Sequence, residues 1–403
     1  MRIVVLGMGY GGLRVALDLE KGLSQGRFEG EILLIDQYPF HQLVTELHQV
    51  AAGSVASEFA AIVLEKIFKG KKIIFQQAKV VGFDPGQKTV QTDHGPFTYD
   101  KLILALGGEA DLLDRPAPRI PGLREHAFTI QSIQPANQAY LQLQERLFTF
   151  IAGRAPDQKL YLLIGGGGTT GVELAGQLAD EIPRKCQEYK IRRDAIEVRL
   201  IEAADRLVPG LHPEIAQYVA KILERKEIQI HLGDPIARVE KDQVALRSGK
   251  ILPSSILIWA GGVRGNRLLS DSPFKADPKG RVIVNGYLQA EGFPDVFAIG
   301  DCSNFIQPEV GQPSAPTARM AIDQGGWLGR YLMGERVFPF VPSFKGGVIS
   351  LGKGAAVAIV GNLKFYGRIA YLLKSMITVK YIYSIGGLKL LAYQLRMGVL
   401  GKI

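Results

Sequence analysis

The hydrophobic positions of this chain twice follow the same order of elements. A short apolar run leads into a turn made almost entirely of glycine, then into apolar residues at helical spacing, and then into a second apolar run that ends in an acid. Buried parallel strands have the pattern of continuous apolar runs, and a strand, a helix and a second strand form the βαβ unit of α/β folds. The pattern therefore predicts an α/β protein with two such units.

The first copy starts at the N-terminus. A strand over residues 2–6 leads into Gly7-x-Gly9-x-x-Gly12, and the next strand ends in Asp36, 24 residues after Gly12. Such a turn brings a pyrophosphate to a helix N-terminus, and the acid can accept hydrogen bonds from a ribose. A ligand-free glycine turn with Asp36 as a strand-end cap is the alternative. The agreement of strand, turn, helix and acid favours the dinucleotide site.

The second copy lies in the middle of the chain. A strand over residues 160–164 leads into Gly166-x-Gly168-x-x-Gly171, a helix is predicted from about Val172 to Tyr189, and a further strand ends in Glu202. Glu202 follows Gly171 by 31 residues, more than the usual ~20, because this helix is long. An acid there favours the free 2′-hydroxyl of NADH over the 2′-phosphate of NADPH.

The remaining segments predict elements around these two units. Residues 72–106 predict a small antiparallel excursion that returns to the main sheet before Gly107, and further strands run into Gly262 and Gly300. Helices are predicted over 132–151 and 212–225, with a proline-rich linker over 109–125. Asp301, in a strand-to-helix turn, can bind a ribityl hydroxyl or cap a helix, and both interpretations stay open.

Composition narrows the class of protein. The 403 residues are 47% hydrophobic and 22% charged, which fits two or three domains with a sizeable core and excludes global disorder. Cys186 and Cys302 are far apart and form no CxxC, which excludes a dithiol motif and a disulfide scaffold and fits a reducing compartment. The chain enters a strand pattern directly after Arg2, so no signal peptide is expected.

The C-terminal 43 residues carry most of the net charge. From Gly361 to Ile403 there is no acid, and the formal charge of the whole chain is +9. Seven basic residues lie in this tail: Lys364, Arg368, Lys374, Lys380, Lys389, Arg396 and Lys402. A basic and apolar tail favours an anionic surface, and a membrane is preferred over nucleic acid because no nucleic-acid-binding module accompanies the charge.

The apolar residues of the tail indicate an amphipathic helix over 364–403. Five of them share one helical stripe: Ile369, Leu372, Leu373, Met376 and Val379. No run approaches the about 20 apolar residues of a membrane span, so the helix is expected to lie on a membrane surface. A helix pair that packs in a homodimer is the alternative.

The segment FHQLVTELHQVAAG, residues 40–53, contains His41, Glu46 and His48. A metal site is conceivable, but a spacing of seven residues between the histidines is not a common ligand spacing. A loop and a short helix that line a pocket are the preferred interpretation, and no metal is expected.

Two dinucleotide-binding units imply two dinucleotides. A resident FAD and a diffusible NADH form the economical pair, in which hydride passes from nicotinamide to flavin. The protein then has to position both, since the flavin supplies the chemistry.

The motifs resemble those of the type II NADH dehydrogenases, single-subunit flavoproteins that oxidise NADH and reduce quinone. The resemblance covers essentially the whole chain. It rests on Gly7–Gly12, on Thr45-Glu46-Leu47-His48 with Ala51–Gly53, on 166–176, on 204–210, on 259–266 and on 298–301.

The resemblance implies roles for individual residues. It places the ADP half of FAD at Gly7, Gly9, Gly12 and Asp36, its ribityl or phosphate end at Asp301, and NADH at Gly166, Gly168, Gly171 and Glu202. Further cofactor-binding positions are Gly11, Thr45, Gly107, Gly262 and Ala318. Glu173 resembles the family glutamate implicated in proton handling and quinone reduction. A helix N-terminal acid favoured by the macrodipole is the alternative for Glu173.

One motif departs from the family pattern. The AQxAxQ sequence on the quinone side becomes Ala318-Arg319-Met320-Ala321-Ile322-Asp323, so that Arg319 and Asp323 replace both glutamines. The two are spaced to pair on one helix face. The resemblance places the quinone near Arg319, Asp323 and Lys374 of the tail.

The resulting hypothesis is an α/β protein with two Rossmann-like domains and an amphipathic membrane-docking segment. FAD is assigned to 1–115 and 275–340, NADH to 116–274, and membrane anchoring to 341–403. The predicted enzyme is a non-proton-pumping, homodimeric NADH:quinone oxidoreductase on the cytoplasmic face of the cell membrane. The alternatives are a soluble NADH:acceptor reductase whose tail dimerises, a sulfide:quinone reductase, and a redox-sensing protein without turnover.

Overall fold

A computed structural model describes residues 1–112, 120–153, 159–343 and 346–396. Pro116 and Pro118 of the predicted linker, the domain boundary at 115/116 and the basic Lys402 lie outside these ranges. The α-helices of the described chain, labelled in order, are α1 Tyr10–Ser24, α2 Leu47–Ala52, α3 Leu64–Phe68, α4 Leu123–His126, α5 Ile133–Gly153, α6 Thr169–Tyr189, α7 Pro213–Arg225, α8 Arg267–Ser270, α9 Ala318–Leu332 and α10 Gly367–Arg396.

The first glycine turn belongs to a nine-stranded sheet whose centre is parallel. Its strands, in spatial order, are Gln312–Pro313, Ser303–Gln307, Val282–Val284, Gln289–Ala290, Phe293–Ala298, Lys101–Leu104, Arg2–Leu6, Glu31–Asp36 and Ile74–Gln77. The predicted antiparallel excursion is present as Val80–Asp84, Thr89–Thr92 and Gly95–Thr98. The strand before it, Ile74–Gln77, instead pairs in parallel with Glu31–Asp36 at the edge of the main sheet.

The second glycine turn belongs to a separate, five-stranded parallel sheet. Its strands, in spatial order, are Ala127–Thr129, Ile256–Trp259, Leu160–Gly165, Ile196–Ile201 and Ile228–His231. A small antiparallel sheet of Ile236–Val239, Gln243–Leu246 and Ile251–Pro253 lies beside it in sequence. The predicted α/β class with two glycine-turn units is confirmed.

Two large hydrophobic cores correspond to the two parallel sheets. In the first, α9 packs closely on α1, because Gly325 has no side chain where a Cβ would stand 2.6 Å from the Gly11 carbonyl oxygen. This approach brings the N-terminal turn of α9 to the glycine turn before α1.

The tail departs from its prediction at the start. Leu363–Tyr366 is not helical but is the edge strand of a three-stranded antiparallel sheet with Gly346–Ser350 and Ala356–Val360, which the sequence did not indicate. On its inner side this edge strand forms backbone hydrogen bonds to Ala356–Val360 before α10 begins at Gly367. The helix is interrupted at Gly387, where φ is +64°. None of the helices in the described ranges is long and apolar enough to cross a membrane.

Three of the five residues of the predicted apolar stripe of α10 face away from the protein. Ile369, Leu372 and Met376 are 63%, 52% and 57% exposed, whereas Ala370, Ile382, Ile385 and Leu390 are buried. Leu373 and Val379 of the predicted stripe are half-buried. The helix therefore has apolar residues on both faces, and only part of its apolar surface is buried against the rest of the described chain.

Candidate functional site

The first glycine turn forms an open backbone cradle. Gly7 has φ +94°, and a Cβ there would stand 2.4 Å from the Ala105 carbonyl oxygen. A Cβ on Gly12 would stand 1.9 Å from the Gly7 carbonyl oxygen. Gly9, the residue before α1, provides no side-chain cap and has open space at its Cβ position. No side chain therefore caps the N-terminus of α1 or fills the space at Gly9, as a pyrophosphate site requires.

Further predicted FAD residues lie at the same edge of the nine-stranded sheet. The strands that precede Gly7, Gly107 and Gly300 and the strand that ends in Asp36 are parallel neighbours, so their carboxyl ends meet. Asp36 Oδ2 accepts from the Met8 N–H at 2.7 Å and Oδ1 from the Tyr38 N–H at 2.9 Å, which holds its carboxylate at the cradle.

Asp301 directly follows Gly300 and lies at the same edge of the sheet. Burial raises the pKa of Asp301 to about 6, with Arg281 opposing the rise. Ala318 begins α9 beside it, since α9 contacts the turn 300–302 through Ala321. Asn304 Oδ1, three positions after Asp301, is a buried polar atom with no hydrogen-bond partner among the described residues. So is Nε2 of Gln324, whose Oε1 accepts from the Gly300 N–H at 2.6 Å. Such atoms, with the open cradle, fit a polar ligand of the size of a dinucleotide such as FAD.

The second cradle repeats the first in detail. Gly166 has φ +111°, and a Cβ on Gly171 would stand 1.8 Å from the Gly166 carbonyl oxygen. Gly168, the residue before α6, has open space at its Cβ position and provides no side-chain cap. Gly262 follows the neighbouring parallel strand with φ +129°.

Glu202 plays the part that Asp36 plays in the first cradle. Glu202 Oε2 accepts from the Gly167 N–H at 2.6 Å and Oε1 from the Ala204 N–H at 2.8 Å. The carboxylate thus lies at the glycine turn, where the ribose of a bound NADH is expected.

Glu173 meets the C-terminal helix. Helix α6 begins at Thr169, three residues earlier than predicted, so Glu173 lies beyond its first turn. The macrodipole acts mainly within that turn. Glu173 Oε1 instead accepts from the Ser350 N–H at 3.0 Å and from Lys374 Nζ at 3.4 Å. The macrodipole alternative therefore has little support, and the contact with Lys374 is the stronger observation.

The Glu173–Lys374 pair is shielded from water. The two side chains are only 16% and 15% exposed. Burial raises the pKa of Glu173, and the Lys374 ammonium opposes that rise. Burial alone would lower the pKa of Lys374, but the carboxylates of Glu173 and Glu46 outweigh it and raise that pKa. A buried cation beside a carboxyl group of raised pKa can hold and deliver protons.

The three predicted quinone-side residues fall into two clusters. Arg319 Nη2 and Asp323 Oδ1 are 3.0 Å apart, as the spacing on α9 predicted, and the Ser343 hydroxyl donates to Asp323 at 2.8 Å. Lys374 contacts neither of them and lies with Glu173 and His48, whose Nε2 is 3.3 Å from Lys374 Nζ.

Several contacts of the site were not found in the sequence. Glu46 accepts from the Thr378 hydroxyl, and His41 Nε2 contacts the Tyr381 hydroxyl. Thr45, a predicted cofactor-binding residue, pairs with the Tyr10 hydroxyl at 2.9 Å. The segment 40–53 stands out in the sequence, but the α10 partners of Glu46 and His41 lie more than 300 positions away, and no local pattern marks such partners. In the described ranges no three His, Cys, Asp or Glu side chains group as metal ligands do.

The cysteines are not arranged for sulfur chemistry. Cys186 and Cys302 are both buried, and burial raises the pKa of the Cys302 thiol to about 12. Cys302 Sγ donates to the carbonyl oxygens of Leu104 and Ile299, both at 3.2 Å. A thiol of this kind is inert.

Comparisons with known proteins agree with this geometry. Residues 1–325 match the pyridine nucleotide-disulphide oxidoreductase family. The chain is 30% identical to the type II NADH:quinone oxidoreductase of Staphylococcus saprophyticus, covering 96% of this chain and 97% of that protein, and 33% identical to that of Staphylococcus epidermidis with the same coverage.

Solved structures show the same fold. NDH2 from Plasmodium falciparum in complex with NADH matches with a TM-score of 0.85 at 16% identity, over 100% of this chain and 99% of that chain. The sulfide:quinone oxidoreductase of Aquifex aeolicus matches with a TM-score of 0.76 at 18% identity, over 96% and 91%. With two glycine cradles and full-length relatives at this identity, the chain belongs to the pyridine nucleotide-disulphide oxidoreductase family and, within it, to the type II NADH:quinone oxidoreductases.

Proposed function

We propose that this protein is an FAD-dependent NADH:quinone oxidoreductase. The observation that carries the proposal is the pair of open glycine cradles in a chain related over its full length to enzymes of that name. FAD, when bound, accepts hydride from NADH and passes two electrons on to quinone. The inert, buried cysteines disfavour the sulfide:quinone alternative.

The domain assignment follows the two sheets. Residues 1–115 and 275–340, which supply the nine-stranded sheet, would bind FAD, and 116–274, which supply the five-stranded sheet, would bind NADH. Residues 341–403 would contact the membrane. In this arrangement Glu173 and Lys374 supply protons to the quinone as it is reduced, and Arg319 with Asp323 borders the same substrate.

Turnover tests the function directly. Purified, FAD-loaded protein is expected to consume NADH at a rate that rises and saturates with a soluble benzoquinone or naphthoquinone, because the flavin needs an acceptor for each turnover. Absorbance at the NADH band gives the rate, and omission of quinone is the control. Protein that retains FAD but shows no quinone-dependent rate would refute the quinone assignment and leave the acceptor-reductase or redox-sensing alternative.

Membrane association is the second part of the proposal. The outer face of α10 exposes Ile369, Leu372 and Met376, and Lys380 is exposed on the same helix. Apolar residues flanked by lysine, in a segment without acids, are typical of helices that lie in an anionic lipid surface. Because NADH is an intracellular metabolite, we expect the cytoplasmic face of the cell membrane. The alternative is that this face of α10 packs against a second copy of the chain in a homodimer.

Flotation with vesicles distinguishes membrane binding from dimer formation. The wild-type protein is expected to float with anionic liposomes, and Leu372→Ser combined with Met376→Ser should release it, since both side chains are more than half exposed and their burial in lipid contributes about 1.5–3 kcal/mol each. Light scattering measures the oligomer in parallel. Leu141→Ser on α5, an equally exposed leucine of another helix, is the matched control. A dimer that dissociates in the double variant, without any vesicle binding by wild type, would replace the membrane with a second copy.

A further inference from the structure

Three side chains of α10 bind one short stretch of the chain near the N-terminus. Lys374, Thr378 and Tyr381 are spaced i, i+4 and i+7, which places them on one face of the helix. That stretch is residues 41–48, here called the acceptor strip. The three contacts are Lys374 Nζ to His48 Nε2 at 3.3 Å, Thr378 Oγ1 to Glu46 Oε1 at 3.2 Å, and the Tyr381 hydroxyl to His41 Nε2 at 2.8 Å.

The polarity of the two histidine contacts is fixed. An ammonium group can only donate, so His48 Nε2 must accept from Lys374, and the remaining ring proton is left for the hydrogen bond of His48 to the backbone of Thr45. A carbonyl oxygen can only accept, so His41 Nδ1 donates to Met8 O at 2.7 Å.

His41 also offers one hydrogen-bond acceptor to α10. Burial lowers the pKa of His41 to about 4, so the ring is neutral and its Nε2 accepts from Tyr381. The helix thus presents three donors to three acceptors, and the three contacts together define one register of α10 on the acceptor strip.

The strip fixes where the Lys374 ammonium lies. Lys374 Nζ is held between His48 Nε2 at 3.3 Å and Glu173 Oε1 at 3.4 Å. The outward face of this part of the helix is exposed at Ile369, Leu372 and Met376, so no part of the described chain holds it from that side. Through His41 the same strip reaches the Met8 carbonyl, which lies inside the FAD cradle.

We propose that His48 and His41 are positioning residues, which set the register of α10 so that Lys374 meets Glu173 beside the FAD cradle. The inference rests on the proposed function for its catalytic consequence, whereas the register itself does not. His48 acts on Lys374 directly, and His41 acts through Tyr381. A long helix that can rest on a soft lipid surface needs such directional contacts on its inner face.

Amide hydrogen exchange tests the register without turnover. Tyr381→Phe removes one donor and is expected to raise exchange over 374–385 in the FAD-loaded protein, because local opening is easier once a buried contact is lost. Tyr383→Phe, two residues away with an exposed side chain, is the matched control and should leave exchange unchanged. Equal exchange in both variants overturns the register.

Kinetics test the positioning role of His48. His48→Leu is expected to lower quinone-dependent kcat by about tenfold and to move the loss of activity at high pH to lower pH, because the buried ammonium loses an acceptor that favours its charged form. His48→Gln, whose carbonyl oxygen can replace Nε2, should restore both. The groups that face Lys374 are Glu173, Glu46, His48 and Tyr371, and all but His48 are unchanged in these variants.

The two levels of failure are distinguishable. Wild-type protein without a quinone-dependent rate refutes the proposed function, and hydrogen exchange still decides the register. A normal quinone rate with the same pH profile in wild type and His48→Leu overturns the positioning role alone. Equal loss of kcat in His48→Leu and His48→Gln with an unshifted pH profile also overturns it, since that result would show that the variants disturb packing and not the hydrogen bond to Lys374.

Discussion

Gly12→Ala is expected to give a protein that folds but retains no FAD. The added Cβ would stand 1.9 Å from the Gly7 carbonyl oxygen, and this backbone oxygen cannot move away without opening the turn. Because an opened turn no longer brings the pyrophosphate to the N-terminus of α1, FAD should be lost during gel filtration. Flavin absorbance per polypeptide measures it.

The second cradle provides the matched experiment. A Cβ on Gly171 would stand 1.8 Å from the Gly166 carbonyl oxygen, so Gly171→Ala should keep FAD and lose reduction of the flavin by NADH. Gly210→Ala, in a loop of the same unit with no atom within 4 Å of its Cβ position, should change neither property. Full flavin content in Gly12→Ala, or normal reduction by NADH in Gly171→Ala, would contradict the assignment of the two cradles.

Glu173→Gln is expected to lower quinone-dependent kcat by about 10²-fold while reduction of the flavin by NADH persists, since removal of a group that transfers protons typically has this effect. The carboxylate of Glu173 contributes to the raised pKa of Lys374. Without it, burial lowers that pKa, so activity should be lost at a lower pH than in wild type. Steady-state rates between neutral and alkaline pH measure both effects.

Lys374→Met tests the other half of the pair. Its loss removes the cation that opposes the raised pKa of Glu173, so the carboxyl group should stay protonated to higher pH. The quinone-dependent rate should fall to a similar extent. Glu188→Gln, on the same helix as Glu173 but with a side chain 45% exposed, is the control and should be neutral. Wild-type turnover in Glu173→Gln with intact NADH binding would remove Glu173 from the mechanism.

The sequence predicts the features that depend only on residues within one short segment. Each cradle is specified within one βαβ unit, because glycine is required where a Cβ would meet backbone oxygen, as at Gly12 and Gly171. The Arg319–Asp323 pair was predicted from spacing on one helix for the same reason. These features need only the geometry of a single element.

Features that join distant segments were not predicted. The partner of Glu173 is 201 residues away, and the sheet that begins at Gly346 brings Ser350 to the same carboxylate. The pattern over 364–403 favoured one helix because strand and helix signals overlap for short apolar runs. The spacing of Ile369, Leu372 and Met376 indicated a helix, but spacing alone does not say which face of a helix packs against the protein.

The hydrogen bonds of Glu202 constrain any redesign of coenzyme preference. Its two oxygens hold the amides of Gly167 and Ala204, and thus shape the turn before NADH arrives. An exchange of this acid for a small or basic residue, the usual route toward a 2′-phosphate, would free the backbone that has to receive the pyrophosphate. A coenzyme-switched variant of this chain therefore needs a new acceptor for both amides as well as a cation for the phosphate.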